Sequence, residues 1–408
     1  MKKIVLASIV TGSLAVAGGY KIPEQSINSM ALGAAYVAHT TGADTAYFNP
    51  AAMAFMEDKQ YVEAGLTLAH LMSNEYNLMA PYSGKSQTEN IAIPNLHYVA
   101  NAMGDFRWGV STTVPGGLTK RWLTPYQKLS AEEFTLKIVE LNPTMSYKIN
   151  DQLAVGAGAR LIYSEGVVKS DGGAIFALKR DMEGDTIEFG YNAALLYKPT
   201  SDINVAATYR SNVDLTEEGD ANLFLGGVGR QYGAEVTVPL PAALNVAISK
   251  TWEDKFTLEF NYERTYWSTY ESLDFEYDQP LANPVLIGAF DAPKARNWKD
   301  TNTFRLGATM KMDNKITAMM GFAIDETPTP EHTIGFELPD SDAKIFSMGF
   351  RYQQREDLSW GAAFLYDSKE AIALTRGAHE DQRSVLNGGG NFEEGGAFLL
   401  TVGMAYEF

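Results

Sequence analysis

The C-terminal segment Phe398–Phe408 reads FLLTVGMAYEF. Phe398, Leu400, Val402, Met404, Tyr406 and Phe408 fall on one face of an extended chain, and Leu399, Thr401, Gly403, Ala405 and Glu407 on the other. Successive side chains of a strand point to opposite faces, so one face here is large and apolar and the other mostly small or polar. That contrast is the signature of a strand with lipid outside and a polar lumen inside.

The same alternation recurs upstream. In Ile187–Lys198 the apolar set is Ile187, Phe189, Tyr191, Ala193, Leu195 and Tyr197, against Glu188, Gly190 and Asn192. Thr303–Met312 and Lys344–Gln353 repeat it, with Phe304, Leu306 and Met310, and with Phe346, Met348 and Phe350. Such segments predict about 14 strands, near 59–70, 91–103, 106–118, 133–149, 152–166, 185–199, 203–214, 232–250, 255–271, 300–312, 315–326, 343–355, 357–369 and 394–408. The connections alternate in length. Short ones fall at Gly104-Asp105, Asn150-Asp151, 199–202, 251–254, Asp313-Asn314 and 355–357; long ones fall near 71–90, 119–132, 167–184, 215–231, 272–299, 327–342 and 370–393. Sorting by parity is expected of an outer-membrane barrel, with short periplasmic turns and long outer loops. A bilayer cannot satisfy an open sheet edge, so the strands must close. The expected fold is all-β, an antiparallel transmembrane barrel too wide for side chains alone to fill.

What fills it precedes the first strand. Gly18–Met53, GGYKIPEQSINSMALGAAYVAHTTGADTAYFNPAAM, is rich in Gly, Ala, Ser and Thr and lacks alternation. Asn49-Pro50-Ala51 ends it as a turn signal. Upstream, Met1-Lys2-Lys3, the apolar run Ile4–Ala17 and Ala15-Val16-Ala17 read as a secretory signal peptide. The organisation expected is therefore a signal peptide over 1–17, an N-terminal hatch (plug) over 18–58 and a barrel over 59–408. No later stretch reaches ~18 continuous apolar residues, so no transmembrane helix is expected.

A net charge of −17 argues against nucleic acid as a partner. With 0 Cys there is no disulfide framework and no thiolate chemistry. His39, His70, His97, His332 and His379 are scattered without metal-ligand spacing, and no G-x-S-x-G or H-E-x-x-H occurs. Neither enzyme, metal nor cofactor is expected.

Three features could handle a cargo. In Phe106–Leu118, FRWGVSTTVPGGL, Pro115 cannot donate to a ladder and Gly116-Gly117 loosen it. Val114–Gly117 is thus either the end of a strand or a kink that opens a lateral gap for an apolar cargo. Gly172–Leu178 (GGAIFAL) and Ala221–Arg230 (ANLFLGGVGR) place apolar patches, Ile175, Phe176 and Leu178 with Leu223, Phe224 and Leu225, in consecutive long connections that could form one groove. Among lumen-facing arginines (Arg160, Arg210, Arg305, Arg351), Arg160 and Arg305 are the candidate partners of a cargo carboxylate; the alternative is pairing with inward acids such as Glu188 or Glu259.

The signal peptide, GYKIPEQS (19–26) and NPAAM (49–53) resemble the N-terminus of the FadL-type (OMPP1/FadL/TodX) transporters of the Gram-negative outer membrane. GVSTTVPGGLTKRW (109–122), LNPTMSYKINDQLAVGAGARLIY (141–163), PAALNVAIS (241–249), WSTYESL (267–273) and GFAIDETPTPEHTIGFELPDSD (321–342) extend the resemblance over the mature chain. It implies a 14-strand barrel with a hatch marked by Tyr20, Asn49, Pro50 and Ala51. It implies capture of a hydrophobic cargo in the outer groove, transfer to a hatch-gated pocket and exit at the strand-three kink. Long-chain fatty acids or similar hydrophobic molecules are the expected cargo; aromatic hydrocarbons, or a general porin, are the alternatives. The expected setting is the outer membrane, as a monomer among its lipids, inserted by the outer-membrane assembly machinery.

Overall fold

The computed structural model describes residues 18–408; the segment read as a signal peptide, 1–17, lies outside the described residues. A closed antiparallel barrel of 14 strands is formed by β1 (Tyr61–Leu71), β2 (Glu89–Val99), β3 (Phe106–Thr113, resuming as Gly117–Arg121), β4 (Glu133–Lys148), β5 (Leu153–Asp171), β6 (Leu178–Tyr197) and β7 (Ile203–Arg210, resuming as Val213–Leu225), followed by β8 (Val228–Leu240, resuming as Ala243–Trp252), β9 (Phe256–Thr265), β10 (Thr301–Lys311), β11 (Ile316–Asp325), β12 (Ala343–Arg355), β13 (Leu358–Lys369) and β14 (Ala397–Glu407). Each strand pairs with its sequence neighbours. The ring closes where β14 pairs with β1, from Tyr61 opposite Glu407 to Leu71 opposite Ala397.

The two faces separate as the alternation requires. Phe398, Leu400, Val402 and Met404 are exposed on the outer surface, whereas Leu399 and Thr401 are buried. Phe106, Tyr147, Trp252, Phe256, Trp360 and Phe408 are exposed near the short turns. They form the aromatic belt expected at a membrane interface, where an amphipathic ring has one apolar and one wet side.

Two long connections differ from expectation. The segments 167–184 and 215–231 are largely strand: β5 runs to Asp171, β6 starts at Leu178, and β7 and β8 meet at a turn containing Gly226 and Gly227, both at positive φ. Their charged composition reads as loop because these hairpins stand beyond the bilayer. There, water rather than lipid covers the outer face, so no large apolar face is required. Ladder pairing continues regardless, from Val213 opposite Leu240 to Leu225 opposite Val228.

Residues 18–56 carry only short helices, Ile27–Ala31 and Thr45–Phe48, and a 3-10 turn at Pro50–Phe55. They are buried almost throughout, and their partners are inward-facing side chains from around the barrel wall. Glu259 of β9 accepts from the backbone N–H groups of Val37, Ala38 and His39 at 2.6–3.0 Å. His97 of β2 bonds the Gln25 carbonyl at 2.9 Å, and Ser347 of β12 donates to Ala31 O at 2.9 Å. Asn49 donates to Val37 O at 2.8 Å, closing the segment on itself. The wall makes room with glycine. A Cβ on Gly156 would meet Ala51 N at 2.5 Å, and one on Gly321 would meet Leu32 C at 2.1 Å. Both contacts are with backbone, which cannot move aside.

Candidate functional site

On the side of the long connections, several segments meet around a cavity of about 1050 Å³. Leu78, Leu129, Phe176, Leu178, Val285 and Phe290 give it an apolar lining, with Lys294 among its few charged groups. A large, mainly apolar concavity with a few placed polar groups is the usual form of a small-molecule site.

Next to it lies a basic pair. Arg180 of β6 is 2% exposed. Its guanidinium lies over the rings of Phe275 and Phe290 at 4.6 and 5.1 Å. Its Nη2 reaches Ser170 Oγ at 3.3 Å and the Tyr277 hydroxyl also bears on the guanidinium, while Nε and Nη1 are buried without a well-formed hydrogen bond. Burial, and after it the Arg180 charge, push the Lys294 ammonium down to about 8. The carboxylate that acts on both cations, Glu337, is already bonded to Arg296 at 2.6 Å. Burying a charge without a partner of its own is costly, so Arg180 against its two rings, with Lys294 beside it, makes a place where a carboxylate headgroup gains most.

Beneath the groove Arg296 and Glu337 also border a second, much smaller cavity of about 20 Å³, lined by Leu118, Phe134, Tyr270 and Trp298. Tyr20, from the start of the internal segment, projects into it. Its ring packs on Trp267 at 4.8 Å and Trp298 at 5.8 Å, and its hydroxyl donates to Pro239 O.

The wall departs from a regular ladder at β3. On the β4 side Thr113 opposes Glu140 and Gly117 opposes Lys137, so four steps of β3 span three of β4. That is a bulge, which bends the strand carrying the extra residue. On the other side the β2 ladder stops at Leu96 opposite Thr112. From Thr113 to Lys120 every residue is buried, where a wall strand would alternate. The internal segment supplies the missing partners. Ile22 N donates to Pro115 O at 2.9 Å, Gly117 N donates to Tyr20 O at 2.8 Å, and the Gln25 amide bonds both Val114 O and Val114 N. Ile22, Ile91, Ile93 and Val114 share one apolar cluster behind this seam.

The sequence profile of the outer membrane protein transport protein family (OMPP1/FadL/TodX) matches residues 8–408. The chain belongs to this family. Among its relatives, the long-chain fatty acid transport protein of Escherichia coli O6:H1 is 25% identical over 79% of each chain. Outer membrane protein P1 of Haemophilus influenzae is 22% identical over 100% of each. The crystal structure of a Pseudomonas aeruginosa FadL homologue superposes with a TM-score of 0.82 at 19% identity, covering 96% of this chain and 99% of that one. The Pseudomonas putida toluene transporter TodX gives 0.70 at 16%, covering 94% and 98%. Like its relatives, this FadL-family protein is an outer-membrane protein, and its family is one of transporters.

Within this FadL-family barrel the residues singled out from sequence are distributed unevenly. Phe176 and Leu178 line the groove, and Ile175 is exposed beside them. Leu223 points into the core instead, and Phe224 lies near Lys179 Nζ at 5.8 Å, so the 223–225 patch does not line it. Arg160 and Arg305 sit lower, inside the barrel, paired with Glu140 at 2.9 Å and Glu263 at 3.3 Å. Arg351 pairs with Glu63 at 2.6 Å. The wall acids are thus Glu140, Glu263 and Glu63. Glu259 instead serves backbone N–H groups, and Glu188 meets Thr186 at 3.2 Å. Sequence reading missed Arg180 and Lys294. Arg180 left a trace, because it shares a face with Leu178 and Met182 in a segment otherwise read as loop. Lys294 follows Asp291-Ala292-Pro293 outside any periodic pattern, so only the folded connection could reveal it.

Proposed function

We propose that this protein carries long-chain fatty acids across the outer membrane by energy-independent diffusion. The observation that carries the reading is the basic pair Arg180–Lys294 beside an apolar groove of about 1050 Å³. An alkyl chain gains about 25 cal/mol per Å² buried there, and the carboxylate gains charge-assisted hydrogen bonds. From the groove the chain enters the aromatic chamber by displacing Tyr20. Residues 18–58 act as the hatch, with Asn49, Pro50 and Ala51 holding its lower end. Because Tyr20 to Gln25 also bond Val114, Pro115 and Gly117, displacing Tyr20 loosens the β2–β3 seam, and the cargo leaves sideways into the membrane as a monomeric barrel would allow. The name of the E. coli relative supports the same cargo. The second reading is a neutral aromatic cargo, favoured by the rings of Trp267, Tyr270 and Trp298 around Tyr20 and by the toluene carried by TodX.

Palmitate binding to the purified barrel separates the two. Replacing Arg180→Gln and Lys294→Gln together is expected to weaken palmitate by about a hundredfold or more, at roughly 1.5–3 kcal/mol for each of the two charged hydrogen bonds, and to leave toluene unaffected. Unchanged palmitate affinity would exclude the basic pair. The pH dependence has a definite sign. The Lys294 ammonium is the form a carboxylate needs, and it titrates near 8 in the free protein. Arg180 and Arg296 stay charged and Glu337 is held ionised by Arg296 and Lys294, so affinity falls as pH rises above about 8, by about tenfold per unit at most. The Lys294→Gln protein loses that slope.

A further inference from the structure

Above the lipid, the outer face of the hairpins β5–β8 brings acids into register. Glu165 of β5 stands opposite Asp185 of β6, Asp185 opposite Glu218 of β7, and Glu218 opposite Glu235 of β8. Glu235 in turn opposes Glu276 of the short strand Phe275–Tyr277. Neighbouring strands thus present a continuous row of carboxylates. One outward position farther along, Glu183 opposes Asp220. Like charges directly opposite one another destabilise a sheet. Lys137 relieves one end by pairing with Glu165 at 2.9 Å, but the other members have no salt bridge among the described residues. The height of the row is set by Tyr163 and Ile187, the last large apolar residues exposed on the outer faces of β5 and β6 before it. Glu165 and Asp185 occupy the next outward positions, about 7 Å along each strand. The row therefore stands where lipid headgroups meet water.

Behind it the sheet carries little. Gly166 and Gly219 both lie opposite Gly184, on the face turned away from the acids. Glu217 covers these glycines, with its Oε2 3.6 Å from where a Gly166 Cβ would stand. Glu217 is 3% exposed; Ser164 donates to its Oε1 and the Gly166 N–H bears on the carboxylate, yet Oε2 is left without a well-formed hydrogen bond. Burial, and after it the charges of Asp185 and Glu165, push this carboxyl up to about 7. With Glu183, Asp220 and Glu235, Glu217 lines a cavity of about 30 Å³, enough for one water-sized ion.

We infer that this carboxylate block is a calcium site, in which Ca²⁺ bridges neighbouring acids of the row and phosphates of outer-leaflet lipid headgroups complete its shell. Ca²⁺ takes six to eight oxygens in a flexible arrangement, which suits side chains spaced along a pleated sheet; Mg²⁺ demands a near-ideal octahedron. Among the described residues no three acids form a closed cage, so the ion keeps open positions toward the lipid. Bare, the row repels a phosphate; with the ion in place it holds one. Glu218 is the centre, facing Asp185 and Glu235 across the ladders, and Glu217 adds its unpaired oxygen from beneath. The β5–β6 hairpin also supplies Phe176 and Leu178 to the outer groove, so the ion steadies one wall of that groove whichever cargo is carried.

The test uses the purified full-length barrel, with Ca²⁺ as the probe, in phosphatidylcholine bilayers with or without lipid A. Binding is expected at about 0.1–1 mM without lipid A and about tenfold tighter with it, because ligand charge tunes Ca²⁺ affinity. Inorganic phosphate in place of lipid A should give no such gain, since nothing holds it in the plane of the row. Asp185→Asn/Glu218→Gln/Glu235→Gln should lose the binding in both bilayers. Ca²⁺ should also raise the temperature at which the native barrel unfolds on heat-modifiable gels and leave the variant unmoved. In EDTA the variant should outlast the native protein, because its repulsion is gone. Equal Ca²⁺ binding by the two proteins, or a native unfolding temperature indifferent to Ca²⁺ and EDTA, would overturn the site. Equal tightening by inorganic phosphate would overturn the lipid headgroup as its partner. If the triple variant does not fold, Glu218→Gln alone should show the same losses at smaller size, and unchanged binding there overturns the row as the ligand set.

Discussion

Two seams of the same barrel carry very different ladders. Between β14 and β1 eleven residue pairs are in register, from Tyr61–Glu407 to Leu71–Ala397. Between β2 and β3 only four are, from Leu96–Thr112 to Val99–Gly109. Pairing resumes only at the outer end, where Gln87 N donates to Arg121 O at 2.8 Å. A bilayer offers no hydrogen bonds to a bare edge, so the second seam must be satisfied from within. Tyr20, Ile22 and Gln25 do this by bonding Gly117, Pro115 and Val114. One seam is a permanent wall. The other is completed by hydrogen bonds from the internal segment, so the proposed route would open lumen and wall in one event.

Removing the internal segment should break that contrast most severely. Deleting Gly18–Tyr47 removes the partners that the internal segment gives the β3 bulge, Tyr20 included, and small-solute conductance in planar bilayers is expected to rise from near closure to open-channel levels, with cargo selectivity lost. Conductance equal to that of the intact protein would mean the segment obstructs nothing.

Making the weak seam resemble the strong one comes next in size. Val-Thr-Val in place of Pro115-Gly116-Gly117 restores the one missing N–H, at Pro115, and adds side chains at the bulge. At roughly 0.5–1.5 kcal/mol for each ladder hydrogen bond, fatty acid uptake should drop by about tenfold or more while the barrel still folds. Normal uptake in that protein would remove the seam from the route.

A smaller change sharpens the coupling. Gln25→Ala strips Val114 of both its side-chain partners, at roughly 1–3 kcal/mol for buried groups left unpaired. Hydrogen exchange at the Val114 and Gly117 amides should quicken by about tenfold, with exchange along β14–β1 unmoved. Equal protection in both proteins would show that Gln25 does not hold the seam.

The amino-acid sequence alone determined the barrel. Period-2 alternation records that every strand has lipid on one side, and this constraint acts residue by residue, so Phe398–Phe408 or Thr303–Met312 can be read without their neighbours. The break at Pro115 was equally legible, because a missing N–H is a local fact. Strand ends above the membrane were not. Once water replaces lipid on the outer face, the alternation in 167–184 and 215–231 fades although pairing continues. The site was least legible of all. Whether an arginine is neutralised depends on which carboxylate the closed ring brings beside it: Arg160 and Arg305 found Glu140 and Glu263, while Arg180 was left against aromatic rings with Lys294 beside it. Those juxtapositions join residues far apart in the chain, across strands and loops. Only the tertiary structure could decide them, because charge pairing is set by distance in space.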